Sequence, residues 1–596
     1  MASIPPLRRL VFLALLALAC SREPERPPVI ILSIDTLRAD RLARMPNLER
    51  FAADAITFDS AWTHAPLTLP AHASLMTGLL PPEHGVRDNA GFRLGAKLPT
   101  IATMLRARGY ATGGAVSAYV LRRDSGIASG FDVFDDAIEF VEGAPTGSLH
   151  RRGSITIANA LRWLDGQTEK PPFLFVHLFE PHTPYEPTYD ADVLAADRLA
   201  GEFFDELRAR KLYDDALIVV LSDHGEGLND HGEEEHGILL YREALQVPLL
   251  VKLPRNARKA TRAGEPVQLI DVLPTIAQLT QATPPPNLRG RSLLDKPIAR
   301  ALYGETLYPR IHLGWSELRS IVRAPHHLID GPKPELYRLA ADPRETRNIR
   351  ENERRAFAQL RGDLAAMPQA VASPTINAEE AKKLVALGYL TSISSTRSDK
   401  NPRDHLHELD ARKEIAALMA RHDFASAATK LEALLARNPG WSDLRDDLGL
   451  AYERLNRLPD AEGVYREAIR ATPELAQEVA LSLAGVLLRQ GKLDEAAQHA
   501  RVAAERSTQP KAARLMLAEI QALRRDLNGA LEILRQIEPP YPPRYHFLLG
   551  DVLGSLGRTG EAIRAFETEL RVAPRDTEAK RRLALLYRIR EGVGAR

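Results

Sequence analysis

At 596 residues the chain is too long for a single hydrophobic core, and its length points to about two to four domains. An apolar content of 44%, a charged content of 26% and a formal net charge of +1 give no basic stripe of the kind a nucleic acid requires, so no nucleic-acid partner is expected. The single cysteine, Cys20, excludes an internal disulfide.

The chain begins with Arg8 and Arg9, an apolar run over residues 10–19, and then Cys20 and Ser21. A basic start, a short apolar run and small residues read as a secretory signal, too short to span a bilayer. A plain signal peptide and an N-terminal anchor both fit that pattern. With Cys at the cleavage point, the stretch resembles a bacterial lipoprotein signal. The resemblance implies a signal peptide over residues 1–20, lipidation of Cys20 and attachment to a membrane of the bacterial cell envelope. Ser21 in place of an aspartate implies a periplasm-facing position on the outer membrane. Residues 21–28 are charged and proline-rich, which suits a tether.

Residues 29–34 (VIILSI) form a continuous apolar run, the mark of a strand buried on both faces of a parallel sheet. Asp35 falls at its carboxyl end, where open α/β sheets place ligands, although a helix N-cap is an equal use for it. A helix and a short strand over residues 47–58 lead to the stretch around which this half is organised: Thr68, Pro70, His72, Ser74 and Thr77, ending at Gly78. Pro70 suits a first helical turn and Gly78 a left-handed ending, which sets the Thr68 hydroxyl just ahead of a helix N-terminus, where an anion is favoured.

A helix is expected over residues 98–109, a small-residue strand over 110–120, and an amphipathic helix over 152–164 with Trp163 in the core. The apolar strand at 173–179 carries His177, which reads as a satisfied core histidine. It ends in a proline-rich loop with Glu180 and His182, and His182 is a candidate ligand or substrate contact. Residues 190–212 read as helix. A second buried strand, 216–221, runs into Asp223, His224, Gly225 and Glu226. Oxygen and nitrogen donors together suit zinc, manganese or a similar divalent ion. His231, Glu233 and His236 follow in a loop that is equally readable as a solvated acidic surface. A strand at 247–252 and a helix over 267–279 complete the pattern.

Taken in order, these segments resemble the sulfatase branch of the alkaline phosphatase superfamily over about residues 29–390. The resemblance rests on Asp35 to Asp40, Asn47, Thr68 to Gly78, His84-Gly85, Glu180 to Tyr185, Asp223 to Glu226, His236-Gly237 and Pro248. Further down it rests on Pro274, Glu305, Trp315 and Tyr337. It implies an α/β fold with a mainly parallel sheet sandwiched by helices. It also implies a divalent metal ion (zinc, manganese, calcium or magnesium) held by Asp35, Thr68, Asp223 and His224. Thr68 becomes the nucleophile, His182 and His236 catalytic or substrate-binding groups, and His72 a substrate-binding one. Three departures matter. Sulfatases make a formylglycine from Cys or Ser in a Cys-x-Pro-x-Arg motif, whereas Thr68 cannot be converted and His72 replaces the arginine. The Lys-x-His pair of arylsulfatases is missing around Gly113, and the second acid beside Asp35 is Thr36. An unmodified Thr is similar to the nucleophile of the superfamily's nucleotide pyrophosphatases and phosphoethanolamine transferases. The expectation is therefore a metal-dependent hydrolase or transferase of phosphate or sulfate esters, phosphoesters favoured. A sulfuric ester hydrolase without formylglycine and an inactive repeat-bearing scaffold are the alternatives.

A short helix and a Ser/Thr-rich joint are expected at 376–395, placing a catalytic domain at 29–390, a linker at 391–403 and an all-α domain at 404–596. There Ala427, Ala461, Ala496, Ala530 and Ala562 recur at spacings of 34, 35, 34 and 32 residues, the period of tetratricopeptide helix pairs. About five repeats are expected, closed by a helix over 577–589. Such a solenoid binds a protein or peptide on its concave face, or serves as a rigid spacer.

Overall fold

The computed structural model describes residues 26–138, 149–369, 398–441, 443–471, 476–506 and 509–593. Cys20 with its signal, and the expected helix at 376–395, lie outside the described residues. No helix among the described residues is long and apolar enough to cross a membrane.

Eight strands form the central sheet: β1 Val29–Ile34, β2 Ile56–Phe58, β3 Ala111–Val116, β4 Val133–Asp135, β5 Pro172–Leu178, β6 Leu217–Ser222, β7 Leu249–Lys252 and β8 Thr261–Ala263. They lie in the order β8-β2-β7-β6-β1-β5-β3-β4. β1 runs parallel to both neighbours, β5 and β6. All its residues but Ser33 are apolar because each face meets a separate core. Val29 and Ile31 join Phe173, Phe175, Leu217 and Val219 on one side; Ile30 and Leu32 join Leu174, Val176, Ile218 and Val220 on the other.

Six helices cover these faces: α1 Pro46–Ala52, α2 Thr68–Thr77, α3 Ile101–Ala107, α4 Gly153–Asp165, α5 Tyr189–Ala209 and α6 Val272–Thr280. Side chains of α2, α3 and α6 fill the first core, and those of α1, α4 and α5 the second. The expected strand at 247–252 departs from the parallel pattern. β7 is antiparallel to both β6 and β2, while Gln246–Val247 pairs with Ala61–Trp62 in a separate small sheet. Pro248, which has no N–H to give a ladder, stands between the two pieces. The helix expected over 267–279 begins only at Val272, after a two-residue strand and a short 3-10 turn.

A four-stranded antiparallel meander follows, β9 Leu302–Thr306, β10 Leu318–Arg323, β11 His326–Asp330 and β12 Glu335–Arg338. Two helices accompany it: α7 Tyr308–Leu313, between β9 and β10, and α8 Arg354–Ala365. Leu360 and Leu364 of α8 pack on Tyr303, Ile321, Leu328 and Leu336 of the meander.

Beyond residue 406 the described chain is helical. Five successive helix pairs run from His407–Ala420 with Phe424–Arg437 to Tyr545–Ser555 with Thr559–Val572, and Thr577–Val593 closes the stack. The five alanines of the repeat are all fully buried, as a position where paired helices approach closely demands. The array is docked on the α/β part. Trp441 donates its Nε1–H to the Leu313 carbonyl at 2.8 Å, and Arg403 donates to the Tyr241 hydroxyl at 2.9 Å. Leu406, Ile415 and Trp441 share one apolar cluster with Ile238, Leu239 and Trp315. Lys413 pairs with Glu234, two residues from His236.

Candidate active site

Ile34 on β1 is in register with Ser222 on β6, so the next residues, Asp35 and Asp223, leave adjacent parallel strands side by side. The turn after β1 is tightly held. Thr36 takes φ 52°, a left-handed conformation costly for a β-branched residue. Its N–H donates to Asp223 Oδ1 at 3.3 Å, and its carbonyl accepts from the Tyr189 hydroxyl at 2.8 Å. The Leu37 N–H donates to Ser222 Oγ at 3.0 Å, and that hydroxyl donates onward to the His224 carbonyl at 2.6 Å. Arg38 completes the clamp by pairing with Asp40 at 2.8 Å and Asp230 at 2.7 Å and donating to the Glu226 carbonyl at 3.2 Å. The Asp35-to-Asp40 motif thus ties the two ligand-bearing loops together. Gly225 is required there, because a Cβ would meet the Glu243 carbonyl at 1.9 Å.

Thr68 is the first residue of α2, with Leu67 as N-cap, and not the residue ahead of the helix. Gly78 ends the helix with φ 69°. Leu67 offers no side-chain cap; Asn89 supplies a first-turn partner, its Oδ1 accepting the Leu69 N–H at 2.7 Å. Asn89 carried no sequence signal, because its partner is a backbone group 20 residues away.

Thr68 Oγ1 lies 3.4 Å from His224 Nε2. His224 donates its Nδ1–H to the Gly225 carbonyl at 3.0 Å, which leaves Nε2 as the bare nitrogen. That nitrogen is 3.6 Å from Asp35 Oδ1 and 3.5 Å from Asp223 Oδ2. One donor atom from each of Asp35, Asp223 and His224 falls within 4.8 Å of the others. Both oxygens of Asp35 and the Oδ2 of Asp223 are buried with no hydrogen-bond partner. Burial, reinforced by Asp223, raises the Asp35 carboxyl well above the usual range. Burial also opposes ionisation of Asp223, but His224, His72 and His177 outweigh it and hold that carboxyl low. Unpaired buried carboxylate oxygens are costly unless a cation offsets them, so this donor set fits a divalent ion. Mixed oxygen and nitrogen donors suit zinc or manganese better than calcium or magnesium, which favour oxygen alone.

His236 and His182 border this set. The His236 ring lies 4.4 Å from that of His224 and 5.1 Å from that of His182. His236 Nδ1 is 3.0 Å from Glu226 Oε1, and Tyr185 donates to the other Glu226 oxygen at 2.9 Å. Burial lowers the His236 value, but Glu226 outweighs it and the imidazole is pushed up to about 9. His182 is lowered to about 3 by burial and by His236, and it donates its Nδ1–H to the Thr183 carbonyl at 2.6 Å. The two neighbouring rings are thus pushed in opposite directions.

The remaining candidates depart from expectation. His72 is fully enclosed one turn along α2, with Nδ1 2.7 Å from the Thr68 carbonyl and Nε2 2.9 Å from Ser33 Oγ. That position suits holding Thr68 more than meeting substrate. His177 is not a satisfied core histidine: neither ring nitrogen has a partner, and Nε2 faces Asp35 Oδ2 at 3.5 Å. His231 pairs with Glu243 and the Glu345 carbonyl, and Glu233 accepts the Ile238 and Leu239 N–H groups, so both shape the loop instead of binding a metal. A cavity of about 730 Å³ beyond Arg38 reaches none of Asp35, Thr68, Asp223 or His224.

Ligand-bearing turns thus stand at the carboxyl ends of a doubly covered sheet and face a helix-borne hydroxyl. Residues 27–282 match the sulfatase family and residues 234–369 the N-sulphoglucosamine sulphohydrolase C-terminal family. Residues 413–476, 447–510, 481–544 and 547–592 match tetratricopeptide repeats. The chain therefore contains a sulfatase domain over residues 27–282 and a C-terminal tetratricopeptide array. It is 24% identical over 339 residues to the ulvan-active sulfatase of Formosa agariphila, covering 46% of this chain and 65% of that one. It is 26% identical over 233 residues to venom phosphodiesterase 2 of Crotalus adamanteus, covering 35% of this chain and 28% of that one. The chain thus spans less than two thirds of either relative. A solved structure in complex with its substrate D-glucosamine-2-N,6-O-disulfate shares the fold, with a TM-score of 0.50 and 18% identity over 57% of this chain and 97% of that one.

Proposed function

We propose that the sulfatase-family domain is a divalent-metal-dependent hydrolase of ester bonds that uses unmodified Thr68 as its nucleophile, phosphoesters being preferred to sulfate esters. The observation that carries this reading is the Thr68 hydroxyl 3.4 Å from His224 Nε2, the same nitrogen that stands 3.6 and 3.5 Å from unpaired oxygens of Asp35 and Asp223. A bound cation would favour loss of the hydroxyl proton and offset charge on the transferring group. The positive end of the α2 dipole would add to that charge stabilisation, the Leu69 N–H being taken by Asn89 and Pro70 having none. In the first step the Thr68 Oγ1–phosphorus bond forms as the ester P–O bond breaks. His236, an imidazolium braced by Glu226, gives a proton to the departing alkoxide. Water then releases the phosphoryl group from Thr68.

The preference for phosphorus rests on Thr68, which cannot become formylglycine, and the likeness to a venom phosphodiesterase supports it. The likeness to an ulvan-active sulfatase favours the second reading, sulfate-ester hydrolysis without formylglycine. A panel of phosphomonoesters, phosphodiesters, phosphonate esters and sulfate esters, run on the wild type and Thr68→Ala, separates the two. Cleavage of phosphorus esters abolished by Thr68→Ala supports the proposal; cleavage of sulfate esters alone contradicts the preference. A pure scaffold has no use for the buried carboxylate pair.

We further propose that the array binds a protein or peptide partner and that Cys20, lipidated, anchors the chain at the cell envelope, on the periplasmic side of the outer membrane. The repeat period and the N-terminal sequence are what support these readings.

A further inference from the structure

We propose a second cation position beside the first, held by His72, His177 and Asp223, so that Asp223 is shared between two ions. It rests on the metal-dependent reading above and is a donor set separate from His182 and His236.

The topology brings these three residues together from three elements. His72 follows Thr68 by four residues and so lies on the same face of α2. His177 is the next-to-last residue of β5, in register with Ser33 of β1. Asp223 follows the last residue of β6. The two rings are 5.0 Å apart, and one donor atom from each of the three residues lies within 4.8 Å of the other two. All three are buried.

Two observations point to an ion and not merely to packing. First, both nitrogens of the fully buried His177 lack a partner, and a single ion held by Asp35, Asp223 and His224 leaves that ring unsatisfied. Second, Asp223 divides its oxygens. Oδ1 accepts the N–H groups of Thr36 and His224 at 3.3 and 2.9 Å. Oδ2 has no hydrogen-bond partner and stands 3.5 Å from His224 Nε2 and 3.6 Å from His72 Nδ1. It faces both positions at once.

His72 can make the change that binding requires. Without an ion, its Nδ1–H donates to the Thr68 carbonyl and its Nε2 accepts from the Ser33 hydroxyl. With an ion on Nδ1, the proton moves to Nε2 and the same hydroxyl becomes the acceptor, since serine can take either role. Two imidazoles and one carboxylate select a zinc-class ion over calcium or magnesium. Held in part by His72 of α2, the second ion would couple the nucleophile's helix to the metal-bearing strands.

The test is zinc content by elemental mass spectrometry on the full-length chain, loaded with zinc alone and then desalted. Two zinc ions per wild-type chain are expected. His177→Gln and His72→Gln, each checked for folding by circular dichroism, should retain one, which Asp35→Asn then removes. Using both variants guards against one that fails to fold. One zinc per wild-type chain, whatever the state of His177, overturns the second position and leaves the first standing. No zinc in the wild type overturns the metal-dependent reading itself.

Discussion

His236 Nδ1 sits 3.0 Å from Glu226 Oε1, and the Glu226 carboxylate keeps the imidazole protonated up to about pH 9 against the opposing effect of burial. Its folded value therefore lies above the ordinary 6.5. The pair's stabilisation is fully present below about pH 6.5 and is lost as the pH rises through about 9. As proton donor, His236 should give an activity that declines above about pH 9. Glu226→Gln should move that limb down toward 6.5, because the imidazolium loses its partner. A pH–kcat profile with a poor leaving group checks this, and an unmoved limb in Glu226→Gln removes His236 from the role.

Arg38 joins the turn after β1 to the turn after β6 without touching the donor atoms. Replacing this buried guanidinium with Met breaks its bonds to Asp40, Asp230 and the Glu226 carbonyl. Arg38→Met should lower stability by about 1.5–3 kcal/mol per charged bond left unmade and weaken metal affinity about 10–100-fold. Zinc titration and thermal melting read the two effects, and unchanged zinc affinity would show that the loops hold themselves.

The acids of the site were legible because each follows a continuous apolar run, and a strand buried on both faces must end where the sheet's ligands sit. Asp35 and Asp223 needed no more than that. His177 was misread because its role depends on register: a strand shows alternation but not that Ser33 and Asp35 lie across the ladder from it. His231 and Glu233 had the right chemistry in the right loop, yet Glu243 and the backbone N–H groups of Ile238 and Leu239 engage them. Sequence does not reveal such partners. The repeat period was plain because five small residues must recur wherever helices cross. That Trp441 would reach back to Leu313 was not, since a docking contact has no period.

The array and the α/β part should unfold together, because Trp441 is buried in a cluster that includes residues of both. Trp441→Ala should cost about 3–5 kcal/mol and split one calorimetric transition into two. Two separate transitions already present in the wild type would show that the parts are independent.

The N-terminal reading makes its own prediction. Expressed in a bacterium with two membranes, the wild type should fractionate with the outer membrane and Cys20→Ala should not. An unchanged distribution of Cys20→Ala refutes lipid anchoring through that residue.

The most direct test of the central claim is mass spectrometry of the zinc-loaded enzyme, acid-quenched during turnover of a phosphodiester. The account predicts a phosphoryl group on the peptide that carries Thr68, absent in Thr68→Ala. Turnover that proceeds undiminished in Thr68→Ala, with no label on that peptide in the wild type, would contradict it.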